Sequence, residues 1–197
     1  MELNRLPLLS AVRNDAPTVT ITTAEMKEFL RVDYDTDDTI IGDMITAAWR
    51  AAENWCDTVW GTRTCTAQFQ AYRECEQVAL YLPFTPVASL TSLTRRLYDG
   101  TTTALTEGED FTVLFPAPNM ALAIDVVGTG VTTGEVTAYT AVFEAGETTI
   151  PDDCEQAVKK MVADMYENRG ANMPEGVAPI HYSVRQLLAP YRQKVWF

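Results

Sequence analysis

Few residues in this chain have the types and spacing that chemistry needs. Its 197 residues include one histidine, His181, and four cysteines, Cys56, Cys65, Cys75 and Cys154. No two cysteines stand as CxxC and no histidine cluster lies nearby, so zinc or dithiol chemistry has little support and the thiols read as structural or incidental. One histidine excludes a multi-histidine metal centre and leaves any Ser-His or Cys-His arrangement resting on a residue in the C-terminal tail. Asp33, Asp35 and Asp37 match the first ligands of an EF-hand loop. That loop requires glycine at its sixth position and a bidentate glutamate at its twelfth, where this chain has Asp38 and Met44. The calcium reading fails at both, and acidic residues just before a long helix are better explained as partners of its positive N-terminal dipole. With no G-x-S-x-G, no P-loop and no metal spacing, the sequence predicts a protein that is not an enzyme and holds no cofactor or metal.

Charge is more informative. Fifteen basic against 27 acidic residues give a net charge of -12, which opposes affinity for a phosphate backbone because that affinity comes from Lys and Arg. Glu175 is the last acidic residue. Beyond it the chain carries only the positive Arg185, Arg192 and Lys194, and it closes on Tyr191, Val195, Trp196 and Phe197. An acidic body with a basic, aromatic tail calls for a partner, since chain ends are usually polar and frayed. The N-terminal stretch has no apolar core followed by a cleavage site, and no run approaches 18 apolar residues. A soluble intracellular protein with no membrane association is expected.

The elements that must position this tail follow from periodicity. Thr22 and Glu25 form a capping-box pattern ahead of a short helix over 23–31, with Met26, Phe29 and Leu30 on one face. A long helix is predicted over 37–60, striped by Ile41, Met44, Ile45, Ala48, Ala52, Trp55, Cys56 and Val59, with Trp49 near the stripe's edge and Trp60 near its end. From 62 to 149 lysine is absent, threonine is abundant and β-branched or aromatic residues alternate, which predicts about six short antiparallel strands. Tyr98-Asp99-Gly100-Thr101 reads as a hairpin turn, and Pro83, Pro86, Pro116, Pro118 and the Gly-Thr-Gly at 128–130 punctuate the rest. Helix returns over 151–169, opened by Pro151, Asp152 and Asp153, striped by Val158, Met161, Val162, Met165 and Tyr166, and stopped by Gly170. Val184, Leu187 and Leu188 can share one side of a last short helix before Pro190. The expected fold is α+β: a small antiparallel helical bundle with an inserted antiparallel β block and an extended C-terminal tail. Residues 1–61 and 150–170 would form the helical body, 62–149 the insertion, and 171–197 the loop, short helix and tail.

Three stretches then carry a family resemblance. The segment from Thr20 to Asp57, with Leu30-Arg31-Val32, the Asp-rich turn and the pair Trp55-Cys56, resembles the N-terminal helices of tailed-phage head-to-tail connector proteins. These are also called adaptor or head-completion proteins and occur in phage-like gene transfer agents. The helix that opens at Ile150-Pro151 and closes in Tyr166-Glu167-Asn168-Arg169 is similar to the family's second signature, and Leu187-Leu188-Ala189-Pro190-Tyr191-Arg192 to its Leu-Leu-x-Pro-Tyr-Arg ending.

The resemblance implies a structural virion protein of the neck, present in the host cytoplasm during assembly. It implies a ring, commonly of twelve copies, beneath the portal protein. The ring would extend the DNA channel and offer a surface to stopper or tail proteins. The tail would dock on the portal through Val184, Leu187, Leu188, Pro190, Tyr191, Arg192, Lys194, Val195, Trp196 and Phe197. The helical-body core would comprise Phe29, Leu30, Ile41, Met44, Ile45, Ala48, Trp55, Val158, Met161, Val162, Met165 and Tyr166. DNA would pass without specific binding along an acidic wall, with Asp43 and Glu53 as channel-facing candidates. The alternatives are a stopper or tail-completion ring protein of the same joint, and a β-rich receptor- or carbohydrate-binding module.

Overall fold

A computed structural model of the chain describes residues 4–71, 77–115, 121–125, 136–168 and 182–192. They fall into two compact units, one formed by Met1–Ala16 with Thr62–Gly146, the other by Pro17–Gly61 with Glu147–Phe197. The fold is α+β, with four helices and an open five-stranded antiparallel sheet among the described residues. Residues 4–16 cluster with the strands, which corrects their assignment to the helical body.

In the helical unit, α1 (Thr23–Leu30) starts on the capping box. Glu25 N–H donates to the Thr22 hydroxyl at 3.2 Å, and Thr22 N–H donates to the Glu25 carboxylate at 2.8 Å. The Thr22 N–H and, at 2.9 Å, the Thr22 hydroxyl, both donating to the Glu25 carboxylate, hold it below its ordinary value. The long helix α2 spans Asp38–Cys56 rather than 37–60, because Asp57 turns left-handed (φ 54) and Thr58 N–H folds back to the Glu53 carbonyl at 3.2 Å. Val59 to Gly61 then pair with Glu147: Gly61 N–H donates to its carbonyl at 2.9 Å, and its N–H donates to the Val59 carbonyl at 3.3 Å. Gly61 is needed there, since its φ is +81 and a Cβ would lie 2.9 Å from Thr18 Cβ.

Helix α3 (Asp152–Glu167) carries Asp152, Asp153 and Glu155 in its first turn, where carboxylates complement the dipole. Helix α4 (Tyr182–Leu188) runs into a single 3₁₀ turn, Ala189–Tyr191. The core joins Met26, Ile41, Ile45, Trp49, Val158 and Val162 with Val184 and Leu188. Trp49 is fully buried rather than at the edge of the stripe, and meets Trp60 edge-on at 5.5 Å and 89°. Such aromatic pairs contribute about 0.5–1.5 kcal/mol beyond area burial.

In the β unit, strands β1 (Asn4–Arg5), β4 (Gln77–Tyr81), β8 (Ala121–Asp125) and β7 (Phe111–Phe115) form a four-stranded sheet in the order β1-β4-β8-β7, with β1 and β4 parallel. Strands β2 (Leu8–Arg13), β3 (Arg63–Gln70), β9 (Val136–Ala145), β5 (Val87–Leu97) and β6 (Thr102–Leu105) form the larger one in the order β2-β3-β9-β5-β6. The described part of 62–149 thus holds seven strands in two sheets instead of about six in one block. Cys65, Ala67 and Phe69 on β3 register with Phe143, Ala141 and Tyr139 on β9, and all six are buried, so one face of this sheet is core. Asp99-Gly100 makes the β5–β6 turn. Gly100 adopts φ +90, and Thr101 N–H donates to the Asp99 carboxylate at 2.8 Å. The prolines at 116 and 118, the Gly-Thr-Gly at 128–130, Gly170 and Arg169 lie outside the described residues.

Candidate functional site

The C-terminal motif is built onto the helical unit. Val184 and Leu188, one turn apart on α4, face inward and join the core beside Cys56 and Cys154. The Cys56 thiol donates a weak bond to the Leu188 carbonyl, at 3.8 Å. Pro190 lies in the 3₁₀ turn, and the Tyr191 hydroxyl then reaches the Asp153 carboxylate at 3.4 Å. The Arg192 guanidinium lies 5.1 Å from the centroid of the Trp55 ring. Trp55 and Cys56 end α2, while Asp153 and Cys154 open α3. Residues 188–192 therefore clasp the end of the helical unit where α2 finishes and α3 begins.

This corrects the assignment of Val184 and Leu188 to the docking tail. Val184 and Leu188 are buried and Leu187 half-buried, so they belong to the body; Pro190 and Arg192 are exposed and Tyr191 half-buried. Lys194, Val195, Trp196, Phe197 and His181 lie outside the described residues.

The clasp is not reactive. Burial pushes the Cys56 thiol up to about 12, with Asp57 adding to it, and burial likewise pushes Cys154 up to about 12. A thiol so held is protonated at neutral pH and a poor nucleophile. Partial burial, followed by the charge of Asp153, raises the Tyr191 phenol.

At the opposite end of α2, three carboxylates of the Asp-rich turn, Asp35, Asp37 and Asp38, take partners from the protein itself. Lys27 pairs with Asp35 at 2.5 Å and with Asp38 at 2.8 Å. Its hydrogen bonds to both raise its pKa, and the bond from Lys27 lowers that of Asp35. The Tyr166 hydroxyl donates to Asp37 at 2.8 Å and lies 2.9 Å from the Tyr34 hydroxyl, tying the C-terminal half of α3 to this turn. Among the described residues no group of three or more His, Cys, Asp or Glu could hold a metal ion, and no helix is long and apolar enough to cross a membrane.

Of the remaining sequence candidates, Ile41, Ile45, Ala48, Val158, Met161 and Val162 are buried, and Leu30, Met44, Trp55, Met165 and Tyr166 are partly buried. Phe29 is 43% exposed; α1 instead turns Met26 inward, with Leu30 one turn later. Asp43 is exposed. Glu53 is 1% exposed and accepts the Trp60 N–H at 2.9 Å, which removes it from any channel wall. Its position was legible: residue 53 stands four after Trp49 and three before Cys56, on the apolar stripe. The Tyr34–Asp37–Tyr166 link has no such signal, because α3 lies more than a hundred residues further along the chain.

The sequence matches no protein-family model and no curated protein. Its fold does match solved structures. A chain of the neck of an empty GTA particle, computed with C6 symmetry, superposes with a TM-score of 0.67 at 20% identity. A chain of the virion of a native gene transfer agent (GTA) particle gives 0.66 at 24%, and one of the neck of a native GTA particle computed with C12 symmetry gives 0.64 at 23%. Each alignment covers 93% of this chain and 95% of the other. Across both units, the chain has the fold of components of gene transfer agent particles.

Proposed function

We propose that this chain is a structural component of the neck of a phage-like particle, and within it the adaptor that forms a ring under the portal protein. The observation that carries the reading is the fold shared over 93% of the chain with chains from neck assemblies of C6 and C12 symmetry. A ring of twelve copies accords with the latter. The three sequence signatures support the adaptor over a stopper or tail-completion protein of the same joint.

The clasp gives this reading a mechanism. It fixes Arg192 on the end of the helical unit, so the five residues that follow, Gln-Lys-Val-Trp-Phe, continue from a defined point. Lys194, Val195, Trp196 and Phe197 dock on the portal, while the ring offers its other surface to stopper or tail proteins. A buried aromatic removes about 150–250 Å² from water, worth about 4–6 kcal/mol at about 25 cal/mol per Å². Ordering each residue costs about 1–2 kcal/mol. One tail binds modestly and a ring of tails binds firmly, because each engaged tail raises the effective concentration of the next. The net negative charge lets DNA pass without adhering, with Asp43 a candidate for the channel wall.

Deleting the chain from an assembling particle tests the neck role. DNA-containing heads without attached tails are the expected outcome; normally tailed particles would overturn the reading.

A further inference from the structure

Among the described residues, the five-stranded sheet ends in two edge strands, β2 and β6. Proteins usually blunt such edges with prolines, inward charges or lysines, since unpaired backbone groups recruit other strands. Neither strand carries proline, lysine or an acidic residue, and the one charge, Arg13, stands at the last position of β2. Strand β2 also exposes three aliphatic side chains, Leu8 at 38%, Leu9 at 56% and Val12 at 54%.

The ladder fixes which groups point outward. Asn14 N–H donates to the Thr64 carbonyl across from it, so by the antiparallel alternation Val12 and Ser10 also bond to β3, while Ala11 turns its N–H and C=O away from it. At the other edge, Leu97 N–H donates to the Thr101 carbonyl, so Thr103 and Leu105 bond to β5 while Thr102 and Ala104 turn outward.

We infer that β2 of one copy pairs with β6 of the next, so that the larger sheet continues from subunit to subunit. The inference rests on the ring reading above. Cyclic symmetry requires head-to-tail contacts between two different surfaces of the subunit, and this sheet supplies two different edges that carry a single charge between them, Arg13. Four antiparallel steps separate β2 from β6, so the two run in the same direction. Head-to-tail repetition therefore makes the new pair parallel. A two-fold dimer would instead pair β2 with β2, antiparallel.

Cross-linking of the full chain, both free and co-sedimented with the portal ring, tests this. Ser10 and Ala104 lie on the same face of the sheet, both exposed. In a chain whose native Cys75 is replaced (Cys75→Ser), the variant carrying Ser10→Cys and Ala104→Cys, treated with a short bismaleimide, should give a ladder beyond dimer, and each single variant should give no cross-linked species. Val12→Lys added to the pair leaves the bonds to β3 in place and should reduce the ladder at least tenfold. Dimers from Ser10→Cys alone would establish two-fold pairing and overturn the inference, as would the absence of cross-links in both samples. Portal co-sedimentation without cross-links would sink the edge pairing and leave the neck role standing. A ladder in the free chain without portal binding would do the reverse.

Discussion

Arg192 lies over the indole of Trp55 with its guanidinium carbon 5.1 Å from the ring centroid, joining the last described residue of the chain to the final turn of α2. Through this contact the Leu-Leu-x-Pro-Tyr-Arg stretch is a part of the helical body that sets where the remaining residues begin.

The clasp should rank by burial. Leu188→Ala removes a fully buried side chain and should cost about 2–5 kcal/mol. Arg192→Ala removes an exposed cation–π contact and should cost about 0.5–1 kcal/mol. Urea unfolding of the full chain checks both; equal effects would contradict the ranking.

Tyr166→Phe keeps the ring and removes the hydroxyl that donates to Asp37 at 2.8 Å. The expected loss is about 1.5–3 kcal/mol, the range for a hydrogen bond to a charged group. Tyr34→Phe should cost less, because its own bond to Asp37 is longer, 3.4 Å. The same unfolding measurement separates them.

These two predictions also mark what the sequence made legible. The capping box at Thr22, the Asp99-Gly100 hairpin and the stripes of α2 and α3 are local patterns, and each appears where its pattern lies. Two features depended on distant partners: strands Asn4–Arg5 and Leu8–Arg13 pair with strands more than fifty positions away, and the C-terminal motif closes on Trp55 and Asp153. Phe29 was misplaced for a related reason: on so short a helix, neighbouring elements decide which apolar residue turns inward.

Stability should fall at both ends of the pH scale. Glu25, Asp35 and Asp99 are held below their ordinary values of 4.5, 3.8 and 3.8 by the hydrogen bonds of Thr22, Lys27 and Thr101. Their contributions are complete above that range and lost as pH falls through the lowered native values. The contributions of Cys56 and Cys154, raised from 9.0 to about 12, are complete below 9.0 and fade as pH rises toward 12. That of Lys27 fades above its ordinary 10.5. The urea midpoint should be flat near neutrality, fall modestly below about pH 4.5 because the three carboxylates are exposed, and fall more steeply above about pH 9.

Cys56, Cys65 and Cys154 are buried thiols outside any disulfide. In the folded chain at pH 8 all three should resist iodoacetamide, and all three should react once the chain is unfolded in guanidinium. Peptide mass spectrometry reads this site by site; rapid native labelling of Cys56 would contradict the buried clasp.

The central claim, a neck adaptor anchored by its last residues, is tested most directly by co-sedimenting this chain with the portal ring of its own particle. Full-length protein is compared with a version ending at Arg192, which keeps the clasp. The account predicts that the full chain pellets with the portal and that the shortened chain, equally stable in urea, loses binding at least tenfold. Equal binding by both would contradict the anchor, and binding by neither would contradict the adaptor itself.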